Sequence, residues 1–234
     1  MEMVKTLAES LAEVRSRIGS AARRTGRAPA DVRLMAVTKG FPRAVVAEAM
    51  GAGVTLFGEN RVQEAEAKFS GLPGEREIHL IGHLQTNKAR TAAGLFSCVQ
   101  SIDSTHTAVA LDSRCAERGT SIDVLMELNT SSEESKSGFR SREELLAGLD
   151  VVGKLSHLRV RGLMTVGPLT DDAEKIRASF SRLRILFEEI RSGRDGFDTL
   201  SMGMSGDFEL AIEEGATLVR LGTALFGPRA AMQT

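Results

Sequence analysis

Short apolar runs alternate with segments of helical periodicity along almost the whole chain. Leu7, Leu11, Val14 and Ile18 recur every three or four residues, which places them on one face of an amphipathic opening helix. After a break at Gly26 and Pro29, residues 32–37 (VRLMAV) form a short continuous apolar run. Such a run suits a strand covered on both faces, as in a parallel sheet. The alternation then repeats. Helical segments at 42–50, 61–69, 87–93 and 105–117 precede strand-like runs at 54–58, 77–82, 96–102 and 121–128. In the second half, 143–149 leads into 158–166, 171–190 into 198–203, and 208–214 into 216–222. Within the longest helical segment Ile176, Phe180, Leu183, Phe187 and Ile190 make one apolar stripe.

Strict alternation of this kind predicts parallel strands joined by crossover helices. Eight such units favour an α/β fold of the closed (β/α)8 TIM type with an extra N-terminal helix, spanning residues 1–234 as a single domain. An open doubly wound sheet would give the same count, so the pattern alone leaves both.

Composition narrows the function classes. Hydrophobic residues make up 42% and charged residues 26%, which suits an ample core. Thirty basic residues nearly balance 31 acidic ones, so no net field draws the chain to nucleic acid or an anionic membrane. Tyr and Trp are absent, which leaves no stacking platform for single-stranded nucleic acid. The first twenty residues mix charges among their apolar positions, unlike a signal peptide, and no later stretch suits a membrane span. Cys98 and Cys115 lack metal-site spacing and read as buried free thiols. The expected setting is the cytoplasm, where the Asn129-Thr130-Ser131 glycosylation pattern carries no weight.

In a parallel barrel the chemistry lies where the strands end, so the turns after them come next. Lys39 ends the first strand. An unpartnered ammonium there is costly, whereas a desolvated neutral amine can attack an aldehyde and form a Schiff base. The alternative is a lysine that snorkels to the barrel rim. The loops after strands seven and eight commonly receive phosphate. Here they read Ser201-Met202-Gly203-Met204-Ser205-Gly206-Asp207 and Arg220-Leu221-Gly222-Thr223. Ordinary turn chemistry also favours Gly and Ser, but a lysine at strand one with two such loops suits a phosphate-bearing aldehyde.

Other signals are weaker. His79 and His83 are four residues apart but straddle a strand end and lack a third ligand, so a structural role is expected and no metal. Gly51, Gly53 and Gly58 do not open a helix after a strand, and no GxxxxGK[ST] loop exists. The pairs Glu133/Glu134, Glu188/Glu189 and Glu213/Glu214 read as solvated faces. Lys136, in SKSG, is a surface-loop lysine or a second, transient acceptor of the same aldehyde.

Segments in order along the chain carry a resemblance to a known family. AVTK (36–39), FGENRVQE (57–64), HLIGHLQTNK (79–88), SID (101–103), SKSG (135–138), RGLMTV (161–166), SMGMSGDFELAI (201–212) and VRLGTALFG (219–227) resemble the YggS/PROSC family of pyridoxal phosphate (PLP) homeostasis proteins. That family is similar to the N-terminal barrel of alanine racemase without its C-terminal β-domain. The resemblance implies PLP as a Schiff base on Lys39, with Ser205, Gly222 and Thr223 at the phosphate and Arg220 facing the ring nitrogen. It also sets Asn60 beside the ring and Met164 against it. Thr38-Lys39-Gly40-Phe41-Pro42 departs from the commoner SKT sequence, Ile78 stands in place of Trp, and His83 in place of Pro. These changes bear on the pocket rim.

By the same resemblance the protein stores PLP or delivers it to PLP-dependent apo-enzymes, as a monomer and without strong catalysis of its own. The alternative is a PLP-dependent amino-acid enzyme such as a racemase. Related racemases use a Tyr as one of two acid/base groups, and this chain has none. A lysine aldolase acting without PLP would use the same barrel, lysine and phosphate loops.

Overall fold

The computed structural model describes residues 5–131, 133 and 136–228. Its opening helix, α1 (Leu7–Arg24), starts at a reciprocal cap in which Thr6 accepts from the Glu9 amide and Glu9 accepts from the Thr6 amide. Leu7, Leu11, Val14 and Ile18 are all buried, as their spacing requires.

Eight strands follow: β1 (Arg33–Val37), β2 (Leu56–Glu59), β3 (Glu77–Leu80), β4 (Cys98–Ile102), β5 (Ile122–Glu127), β6 (Leu158–Met164), β7 (Thr199–Ser201) and β8 (Leu218–Leu221). Helices α2 (Arg43–Gly51), α3 (Val62–Phe69), α4 (Ala89–Leu95), α5 (Thr105–Arg118), α6 (Arg142–Val152), α7 (Ala173–Arg191) and α8 (Phe208–Glu213) lie between them. Each strand pairs in parallel with the next, and β8 returns to β1 through Arg33↔Leu218 to Ala36↔Leu221. That last pairing closes the barrel and removes the open-sheet alternative. The opening helix packs on α8, and Arg17 meets Glu209 across that contact at 2.8 Å.

Two details differ from the sequence pattern. The helical segment at 87–93 is displaced, because Thr86–Lys88 form a 3-10 turn before α4 begins. A one-turn helix, α9 (Thr223–Phe226), interrupts what reads as a loop after β8.

Alternation along each strand separates two layers. Ala36, Phe57, Val99 and Leu163 face the helices and join the main core. Met35, Val37, Leu56 and Leu218 form a separate cluster within the barrel, and Cys98, Leu125 and Met164 form another. Both cysteines are buried free thiols. Among the described residues no helix is long and apolar enough to cross a membrane.

Candidate functional site

The two-residue period that turns Met35 and Val37 inward also turns Lys39 inward, at the mouth of the barrel. There Lys39, Ser205, Arg220, Gly222 and Thr223 line one cavity of about 270 Å³. Its apolar walls are Val37, Phe41, Ile81 and Met204. Three stretches far apart in sequence, just past β1, just past β7, and from β8 into the turn after it, therefore meet around one space.

The loop after β7 reaches this cavity through a left-handed residue. Gly203 has φ +92°, and a Cβ there would fall 2.5 Å from the Ala211 Cβ. Asp207 then accepts from the Met204 amide at 2.6 Å, which closes the turn and sets Ser205 facing the loop after β8. The Ser205 hydroxyl accepts from the amides of Gly222 (3.3 Å) and Ala224 (3.1 Å). Hydroxyl and amide donors thus converge at the end of the cavity that Thr223 also lines, the donor set a phosphate needs.

Arg220 is buried within the barrel wall. Its Nη1 donates to the Ser201 hydroxyl and its Nη2 to the Thr165 carbonyl, both at 2.7 Å. Ser201 in turn donates to Gln100 at 2.7 Å. The Gln100 amide lies 2.8 Å from His79 Nδ1. Burial holds His79 below its ordinary range, so the neutral ring accepts at Nδ1. This chain of side chains fixes the guanidinium from behind. Burial lowers Arg220 to about 10, against the pull of Glu127 and Asp207, so it stays charged at neutral pH. Burial also raises Glu127 to about 7, with Asp103 adding to the shift while Arg220 and His83 oppose it. Asp207 is raised by burial as well.

Asn60 and Met164 are not among the residues lining this cavity. Asn60 lines the adjoining groove, which shares Phe41 with the cavity. Met164 is fully buried in the barrel interior with Cys98 and Leu125. Lys136 lines a smaller cavity of about 160 Å³ that shares Ile81 with the first. Its amine donates to Glu133 at 2.8 Å and to the Gly167 carbonyl at 2.7 Å. Ser135 of the SKSG segment and Glu134 of the Glu133/Glu134 pair lie outside the described residues.

His79 and His83 do not converge. The first sits inside the barrel, and the second is exposed and meets Asp103 at 2.7 Å. Among the described residues no group of three His, Cys, Asp or Glu side chains is placed to hold a metal. Sequence reasoning missed Gln100 and Glu127, and read Ser201 only as part of the loop after strand seven, not as a partner of Arg220. Each is a polar residue within an apolar strand, which is the signal that finds them.

The cavity's donor set fits a flat, phosphate-bearing aldehyde: an amine on one wall, hydroxyls and amides at one end, and a fixed cation beside them. The chain's relatives bear on that fit. Residues 10–230 match the family described as alanine racemase, N-terminal domain. A pyridoxal phosphate homeostasis protein of Pseudomonas aeruginosa is 44% identical, over 97% of this chain and 97% of that protein. One of Escherichia coli (strain K12) is 39% identical, over 95% of this chain and 97% of that protein. PipY of Synechococcus elongatus, solved with PLP bound, superposes with a TM-score of 0.81 at 37% identity, covering 95% of this chain and 100% of PipY. An alanine racemase of Clostridium difficile shares the fold alone, with a TM-score of 0.74 at 15% identity, over 94% of this chain and 56% of that one. This chain belongs to the alanine racemase N-terminal-domain family and, within it, to the pyridoxal phosphate homeostasis proteins.

Proposed function

We propose that this protein holds PLP in the cavity beside Lys39, joined to that lysine as a Schiff base, and stores or delivers it within the cytoplasm rather than turning over a substrate. The observation that carries this reading is the meeting of Lys39, Arg220, Ser205, Gly222 and Thr223 around one cavity. The PLP bound to PipY and the names of the full-length relatives support it. Bound PLP supplies an electrophilic aldehyde and, with its ring protonated, an electron sink.

The residues have separable roles in this proposal. Lys39 contributes the attacking amine, which is nucleophilic in its neutral form. Ser205, Gly222 and Thr223 receive the phosphate through hydroxyls and amides. Arg220 presents only donors, so it favours an unprotonated ring nitrogen and weakens the ring as a sink. That suits carriage more than racemisation. The absence of Tyr removes the phenol that a two-base racemase requires. Lys136, at the adjoining cavity, is a second and transient acceptor. The partners are PLP and the apo-enzymes that receive it.

Loaded protein mixed with the apo form of a PLP-dependent enzyme is expected to restore that enzyme's activity, while L-alanine incubated with the loaded protein keeps its configuration. Racemisation at about 1 s⁻¹ or faster, an ordinary enzyme rate, would overturn the carrier reading.

A further inference from the structure

Lys39 is flanked by a buried cluster that takes no part in lining its cavity. Lys68 of α3 is only 6% exposed. Its ammonium donates to the Thr38 carbonyl at 2.5 Å, to Glu59 at 2.9 Å and to Glu64 at 2.6 Å. The Thr38 hydroxyl donates to Glu59 at 2.6 Å, and the Gly40 amide donates to Glu64 at 2.6 Å. The Thr38 amide donates to the Gly58 carbonyl at 3.1 Å.

This arrangement has a geometric consequence. Peptide units are planar, so the direction of the Lys39 Cα–Cβ bond depends on its own φ and ψ alone once its neighbours are placed. The peptide plane before Lys39 is tied through the Thr38 carbonyl, and the plane after it through the Gly40 N–H. Both torsions are thereby held.

Stability alone gives little reason for such a cluster. Replacing buried ion pairs by apolar residues of similar volume is often neutral or stabilising. Glu59 is fully buried, and its Oε2 has no hydrogen-bond partner among the described residues. Burial pushes its carboxyl up in spite of Thr38 and Lys68. Alternation turns Val37 and Gly58 into the barrel, so Thr38 and Glu59 face α3, where Lys68 reaches them.

We propose that Lys68, together with Glu59 and Glu64, is a positioning cluster that fixes the backbone on both sides of Lys39 and so sets the angle at which its amine meets PLP. The effect on PLP rests on the reading that Lys39 carries it, whereas the clamp on the backbone does not. Lys68 acts through Thr38, and Glu64 through Gly40.

The test compares Glu64→Ala, Lys68→Met and Lys68→Arg with Phe187→Leu, a core change in α7 that lowers stability elsewhere. In the protein without cofactor, exchange of the Gly40 amide is expected to speed up in Glu64→Ala and to stay at the parent rate in Phe187→Leu. In the PLP-loaded protein, Glu64→Ala and Lys68→Met are expected to release PLP roughly 10- to 100-fold faster, the scale of a small misplacement of a reacting group. They are also expected to shift the pH midpoint of the visible band, with Lys68→Arg recovering part of both effects. Lower melting temperatures with parental Gly40 exchange, release rate and midpoint would overturn the proposal and leave the cluster a structural ion pair. If Lys68→Met fails to fold, Glu64→Ala decides alone, since Glu64 is partly exposed and its loss leaves the core intact. If the parent itself takes up no PLP, the reading of the pocket fails, and Gly40 exchange still decides the clamp.

Discussion

Replacing Lys39 by Ala is expected to abolish the visible band that PLP acquires on the parent protein and to weaken PLP binding at least about 100-fold, equal to about 2.8 kcal/mol. The substitution removes the covalent link and leaves the rest of the cavity in place. Ser205, Gly222, Thr223 and Arg220 still offer their donors, so weak binding with the spectrum of a free aldehyde should persist. Lys39→Arg is expected to lose the band just as fully, because a guanidinium keeps the charge but does not condense with an aldehyde at neutral pH. Both expectations are read by titrating each protein with PLP and recording the visible spectrum. A single variant with the parent's band and affinity would remove Lys39 from the account.

The second large effect concerns pH. Glu127 is buried at the end of β5, and its carboxyl is raised from the ordinary 4.5 to about 7. The folded state therefore holds this proton more tightly than the unfolded chain. Below pH 4.5 both states are protonated and the group contributes nothing. As pH rises from 4.5 to about 7 the unfolded chain loses its proton first, so stability falls, and above pH 7 the full cost is present. A shift of this size corresponds to about 3 kcal/mol. Glu127→Gln keeps the shape and removes the charge. It is expected to match the parent near pH 4 and to exceed its stability by up to about 3 kcal/mol at pH 8, measured by urea unfolding without cofactor. An equal gain at both pH values would mean that packing, not ionisation, sets the difference.

Much of this architecture was legible because it is written in local periodicity. The apolar runs at 32–37 and 121–128 mark β1 and β5 to within one or two residues, and the stripe from Ile176 to Ile190 marks the buried face of α7. Closure was not legible, because it depends on Arg33 meeting Leu218, a pairing between the two ends of the chain. Lys39 and the loops near Ser205 and Gly222 were readable for a different reason: barrel geometry assigns chemistry to strand ends before any contact is known. The partners of Arg220 were not readable, since Ser201 and Thr165 come from other strands.

Glu64 and Lys68 show the limit most clearly. Their spacing of four on a short helix has the signature of a solvated surface pair. Only the approach of Thr38, just past β1, and of Glu59, at the end of β2, turns Lys68 into a buried group. Asn60 and Met164 were placed by resemblance, and their positions in the adjoining groove and the barrel interior depend on strand length and register that no motif records.

Attachment of PLP to Lys39 is tested by loading the parent protein with PLP, reducing it with borohydride, and mapping the modified peptide by mass spectrometry. A pyridoxyl phosphate adduct is expected on Lys39 at about one per chain when PLP is stoichiometric, because reduction fixes the Schiff base where it stands. An adduct spread over surface lysines, or one confined to Lys136 with Lys39 unmodified, would contradict that attachment.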